Sequence, residues 1–152
     1  MFYSIASGAS VWRGYNYYKD NKVIMRNGVD DNTFKGKVKG SGNAIYDVTI
    51  DISHPKKSTC NCPHAEGTRK MCKHKVALYF SIYPDEADNY YAEVVRAQEE
   101  EEAYEAEIEE MIIKCINKMT KTELQNELYY LLMDGPDYQF DRFIIEHGLD
   151  KY

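Results

Sequence analysis

Cys60-Asn61-Cys62-Pro63-His64-Ala65-Glu66-Gly67-Thr68-Arg69-Lys70-Met71-Cys72-Lys73-His74 decides how the rest of the chain is read. Three thiols and an imidazole, Cys60, Cys62, Cys72 and His74, fall within fifteen residues, and the glycine-containing loop lets the chain double back to bring the two pairs together. Three thiolates with one imidazole form the soft-to-borderline set that tetrahedral Zn2+ prefers, and four protein ligands close its coordination sphere. A closed sphere points to structure rather than catalysis. His54 and His64 lie near enough in sequence to compete as ligands, with His64 the serious substitute. Clustering of cysteines beside histidine favours a metal over a disulfide framework, and with it a reducing compartment.

Downstream, Cys72 to Tyr83 contains neither Gly nor Pro and repeats apolar residues at helical spacing, Val76, Phe80 and Tyr83 on one side, before Pro84. A helix therefore starts at the last ligands. Upstream, Val11 to Ile52 reads as strands near 11–18, 22–27, 33–39 and 44–52, separated by Asp20-Asn21, Asn27-Gly28 and Gly40-Ser41-Gly42-Asn43, residue types suited to tight turns. Tyr46, Val48, Ile50 and Ile52 alternate with polar residues, which puts them on one face of a strand. Phe34 and Val38 alternate with Lys35, Lys37 and Lys39, which places three lysines on one exposed face. The class is α+β: a small antiparallel β-meander whose Cys3His zinc site leads into a helix, followed by a helical C-terminal segment.

That segment begins with a helical pattern over about residues 85–118, in which Tyr104, Ile108, Met111, Cys115 and Met119 form an apolar stripe and Glu99 to Glu102 interrupt it. On that stripe Cys115 reads as a core residue. Thr120 and Glu123 have capping-box spacing, opening a helix to Met133, and a last helix is expected from Asp137 to Glu146 before Gly148. The expected organisation is a zinc-finger domain over residues 1–83, an acidic helix or linker over 84–119 and a short helical hairpin over 120–152.

The spacing Cys-x-Cys, then Cys-x-His running directly into a helix, resembles the SWIM zinc-finger family. Arg13-Gly14 with Tyr17-Tyr18, Lys22 to Arg26 followed by Gly28, and Lys39-Gly40-Ser41 with Tyr46-Asp47-Val48 resemble the β-rich lead-in of bacterial members. The similarity covers about residues 10–83. It implies Cys60, Cys62, Cys72 and His74 as the zinc ligands, and a function in binding DNA or other proteins. Family members often sit inside larger polypeptides such as helicase-related proteins and transposases; here a stand-alone bacterial or phage-like member is expected.

Composition bounds the function. Of 152 residues, 43% are hydrophobic and 29% charged, the profile of a folded globular chain, and no long apolar run predicts a membrane span or an export signal. A cytoplasmic protein is expected. The net charge of −6 divides unevenly: residues 1–83 hold 13 Lys and Arg against 6 Asp and Glu, residues 84–152 hold 6 against 19. A basic half suits a polyanion. The candidate nucleic-acid contacts, to DNA or RNA, are Arg13, Lys35, Lys37, Lys39, Arg69, Lys70, Lys73 and Lys75, with Tyr15, Tyr17 and Tyr18 available for stacking on bases. The competing class is a protein-interaction adaptor built on the C-terminal helices, where Leu124, Leu128, Leu131 and Phe140 supply apolar surface. No phosphate-loop signature and no His-Glu-x-x-His helix occurs. A small-molecule substrate and an enzyme activity are accordingly not expected.

Overall fold

A computed structural model describes residues 1–149; the expected hairpin over 120–152 therefore extends past the described residues at 150–152. Ser7 accepts a hydrogen bond from the Ser10 amide and so caps helix α1 (Gly8–Lys19). This is a correction: residues 11–18, expected as a strand, are helical. Val11, Gly14 and Tyr15 are buried on one side of the helix and Tyr18 packs beside them, the i, i+3, i+4, i+7 spacing of a helix face. Strand-favouring Val, Trp and Tyr residues hid that spacing, and burial against the rest of the unit outweighs their propensity.

Asn21, at φ 54°, turns the chain into a four-stranded antiparallel sheet in the order β1 (Val23–Gly28), β2 (Thr33–Lys39), β3 (Ile45–Asp51), β4 (Thr59–Cys60). β2 and β3 pair in continuous register, Thr33 opposite Asp51 through Lys39 opposite Ile45, while β1 carries an irregularity between Val23 and Met25. Val38, Val48 and Ile50 form the buried face. Helix α2 (Lys73–Ile82) lies on that face, and every residue from His74 to Ser81 is buried. Gly36 is required there: a Cβ would stand 2.5 Å from Leu78 Cδ1 and 2.7 Å from the Met25 carbonyl oxygen. α1 covers the other side of α2, with Gly14 against Val76.

Helix α3 (Pro84–Ile116) follows almost without a break, and the residues around the Glu run stay helical. Its first turns belong to the core: Ala87 is fully buried and Tyr90 stacks on Phe80 at 5.7 Å between ring centroids. The chain divides into two compact units inside this helix, one ending at Val95 and the next starting at Arg96. The second unit comprises the distal part of α3 with α4 (Lys121–Met133) and α5 (Asp137–Glu146). Thr120 forms the full capping box with Glu123, as the spacing predicts. Neither α4 nor α5 buries a residue, and Cys115, expected in a core, is exposed. None of the helices among the described residues is long and apolar enough to cross a membrane.

Candidate metal centre

Each ligand is positioned by a different local structure. Cys60 ends β4 opposite Val48, and Asn61 extends the pairing by accepting the Asp47 amide on its Oδ1 at 2.9 Å. Cys62 starts a turn in which its carbonyl accepts the amides of Ala65 and Glu66, both at 2.9 Å. Gly67, at φ +66°, and Thr68, whose hydroxyl donates to the Ala65 carbonyl, bring the loop round. Cys72 is the N-cap residue of α2, so His74 sits in its first turn. Lys75, 1% exposed, latches the loop to that turn by donating from Nζ to the Lys70 carbonyl at 2.8 Å.

The result is four buried donor atoms, from Cys60, Cys62, Cys72 and His74, all within 4.8 Å of one another. His74 Nδ1 is 3.8 Å from Cys60 Sγ and 4.0 Å from Cys72 Sγ. In a regular tetrahedron with ordinary Zn–S and Zn–N bonds such N–S edges are about 3.5 Å, so these two contract by only a few tenths of an ångström around the ion. The ring is held by packing, 4.6 Å from the Tyr46 ring and 5.5 Å from the Tyr17 ring between centroids. Its Nε2 is buried without a hydrogen-bond partner among the described residues.

The thiols do not titrate alike. A hydrogen bond from Cys60, opposed by burial and helped by His74 and the Lys75 amide, pulls Cys72 down to about 3. Cys60 is pushed up, first because it donates that bond and then by burial, and burial likewise raises Cys62. One thiolate is therefore present before a metal arrives, and the other two thiols must give up protons to it.

A buried Cys3His set that joins a strand end to a helix start is a structural zinc finger. Residues 46–83 match the family model of the SWIM zinc finger, and this segment of the chain is one. It binds zinc, and Cys60, Cys62, Cys72 and His74 are the buried cluster that offers four ligand atoms for the ion. The lead-in over residues 10–45 lies outside the match. No curated protein and no solved structure matches the chain.

The remaining candidates are distributed unevenly. His64 is exposed and outside the four-atom cluster; His54 shares a hydrogen bond with Ser53 and lies 3.5 Å from Asp51. Lys75 is a correction, because the latch removes it from the surface. Lys35, Lys37 and Lys39 do share the sheet face away from α2, but Lys37 pairs with Asp47 at 2.7 Å, so that face is mixed rather than basic. Arg13, Arg69 and Lys70 are exposed and Lys73 half-buried, and none of the four pairs with a carboxylate among the described residues.

Arg13 and Lys73 line a cavity of about 190 Å³ together with Ser10, His64 and three of the ligands. Arg69 lines a broader depression of about 620 Å³ with Ile5, His54, Pro55, Lys56 and Lys57. Lys56 and Lys57 belong to the same basic half of the sequence, and the fold brings them beside Arg69. The tyrosines expected to stack on bases are engaged: Tyr15 is buried, Tyr18 packs against it and Phe80, and Tyr17 lies beneath Lys73 and Lys22 at 4.4 and 5.0 Å. Burial pushes the Tyr17 hydroxyl up, but hydrogen bonds with Lys73 and Ser41 and the two ammonium charges bring it below its ordinary value.

Proposed function

We propose that the finger unit binds nucleic acid through the cations around the ligand loop. What supports this reading is the lining of the two depressions: Arg13, Lys73 and His64 in one, Lys56, Lys57, Arg69 and His54 in the other, with no carboxylate in either. Zinc and the Lys75 latch hold the loop that carries Arg69 and Lys70, so the cations are presented at low entropic cost. Lysine and arginine neutralise phosphates without reading bases, and the contact is sequence-tolerant. Trp12, 41% accessible and next to Arg13, is an exposed aromatic beside these cations that suits stacking on an unpaired base.

Binding of the zinc-loaded chain to labelled single strands and duplexes across a salt series tests this. Affinity should fall with salt by about 0.9 log units per log unit for each phosphate contact. Joint reversal of Arg69, Lys70 and Lys73 to Glu should abolish it while Arg142→Glu leaves it unchanged. Absence of binding at low salt, or a triple variant that binds as well as the parent, refutes the reading. The adaptor reading draws on a different observation: α4 and α5 expose Leu124, Leu128, Leu131 and Phe140, between 38% and 59% accessible, a surface suited to a protein partner. It predicts that truncating those leucines to Ala leaves nucleic-acid binding intact and removes a nuclease-resistant complex.

A further inference from the structure

The distal part of α3 carries a pattern that neither zinc nor nucleic acid uses. Ala97, Glu101, Tyr104, Ile108, Met111 and Cys115 follow one another at alternating steps of four and three residues. That is the spacing of a two-stranded coiled-coil seam, interrupted by Glu101, and 3.5-residue periodicity of this kind keeps one stripe facing a partner helix. The seam continues the sequence spacing of Ala87 and Tyr90, which pack the first turns of α3 into the finger unit. Beyond Val95 it is uncovered: Tyr104 is 64% and Met111 51% accessible, and flanking Ile112 and Ile116 are 53% and 46%. In this second unit no described residue is buried, a state that apolar side chains at coiled-coil spacing do not keep in water when a complementary surface is at hand.

We infer that this face pairs with the same face of a second copy, antiparallel, to form a twofold dimer. Charge decides both the partner and the direction. Antiparallel pairing centred between Ile108 and Met111 sets Ile108 of one copy against Met111 of the second copy, and Tyr104 against its Cys115. At the flank it sets Glu107 against Lys114, which already reaches Glu110 at 2.6 Å. The acidic run Glu99–Glu102 then lies toward the end of the helix where the second copy's Lys118 and Lys121 emerge. Parallel pairing would instead align that run with itself, four carboxylates against four. A surface that is strongly acidic at one end, carries Lys114 and Lys118 with Glu123 at the other and is apolar between is self-complementary under a twofold axis, as an isologous interface requires.

The proposal does not depend on nucleic-acid binding. It is tested on the zinc-loaded full chain, in which Cys60, Cys62 and Cys72 are occupied and Cys115 is the free thiol. Light scattering after size exclusion should give about twice the 17.7 kDa chain mass. Ile108→Glu and Met111→Glu should each return it to one chain mass with helical circular dichroism retained. Lys114→Glu should weaken the dimer, and adding Glu107→Lys in the same chain should restore it; a role within one helix gives no such rescue, because Glu107 and Lys114 are two turns apart. On mild oxidation, Tyr104→Cys should yield a covalent dimer through Cys115. A single chain mass at sub-millimolar concentration overturns the proposal, as does a dimer indifferent to Ile108→Glu. Efficient cross-linking of the unaltered chain through paired Cys115 residues, with no gain from Tyr104→Cys, overturns the antiparallel arrangement.

Discussion

Replacing Gly14 with alanine opposes two effects of known sign, and the structure decides between them. Gly14 lies in the interior of α1, where alanine is favoured over glycine by about 1 kcal/mol, so helix propensity alone predicts a more stable protein. A Cβ at this position, however, would stand 2.5 Å from Val76 Cβ, 2.6 Å from Val76 Cγ1 and 3.0 Å from the Lys73 carbonyl oxygen. None of these can swing aside. Two are a Cβ and a backbone oxygen fixed to α2, and Val76 is fully buried, so relief requires the two helices to separate. Overpacking of this kind costs about 1 to 3 kcal/mol, and a rigid contact belongs at the upper end. Subtracting the propensity gain leaves a net loss of about 2 kcal/mol, or a fall in Tm of about 8 to 16 °C for a unit of this size. The first turn of α2 also carries His74, so if metal binding and folding are coupled, apparent zinc affinity should drop about 30-fold. Thermal unfolding of the zinc-loaded chain and a chelator competition measure the two quantities. Gly8→Ala is the control, since a Cβ at Gly8, the first residue of the same helix, meets nothing within 4 Å. A Gly14→Ala protein that melts at or above the parent temperature refutes the packing argument.

Three further outcomes follow from the same structure. Cys72→Ser, or a strong chelator, should unfold the finger unit, because the four ligands tie the end of β4 and the loop to the first turn of α2; near-ultraviolet circular dichroism of the buried tyrosines should collapse. Zinc loading at neutral pH should release about two protons from the thiols, since Cys60 and Cys62 are raised and Cys72 is already ionised, and calorimetry in buffers of different ionisation enthalpy counts them. The sign for stability is then fixed: zinc-held thiolates titrate below their unfolded value, so the metal's contribution is complete above that value and is lost as pH falls. A release near zero contradicts the assignment. Thr120→Ala should remove the hydroxyl arm of the capping box and leave the Thr120 amide bonded to Glu123, costing about 1 kcal/mol of α4 stability and raising amide exchange in its first turn, with no change in the finger.

The zinc ligands were legible in the sequence because metal chemistry restricts residue type and spacing together, and the strand from Tyr46 to Ile52 because alternation is unambiguous when one face is buried. α1 was not. Its helical face, Val11, Gly14, Tyr15 and Tyr18, consists of strand-favouring residues and a glycine, and the fact that Gly14 is a contact site emerges only when Val76 is placed opposite it. Lys75 was misjudged for a related reason: a lysine among exposed cations reads as surface, and only the fold shows the Lys70 carbonyl waiting for it. Cys115 erred the other way. A 3.6-residue stripe predicts that a helix face is covered, and says nothing of whether the cover comes from the same chain.

The charge of the metal centre constrains what its neighbours can do. Three thiolates, one neutral imidazole and a divalent ion leave the site with a net charge of about −1, buried beside Arg13 and Lys73, which share a cavity with Cys62, Cys72 and His74. One cation's worth of charge near the ligands is therefore consumed in balancing the centre, and Lys73, drawn over the Tyr17 ring, is the better placed to supply it. That leaves the depression holding Lys56, Lys57 and Arg69 as the stronger attraction for a phosphate backbone. The two arrangements separate cleanly: reversal of Lys73 alone should cost more zinc affinity than nucleic-acid affinity, and joint reversal of Lys56, Lys57 and Arg69 should do the opposite.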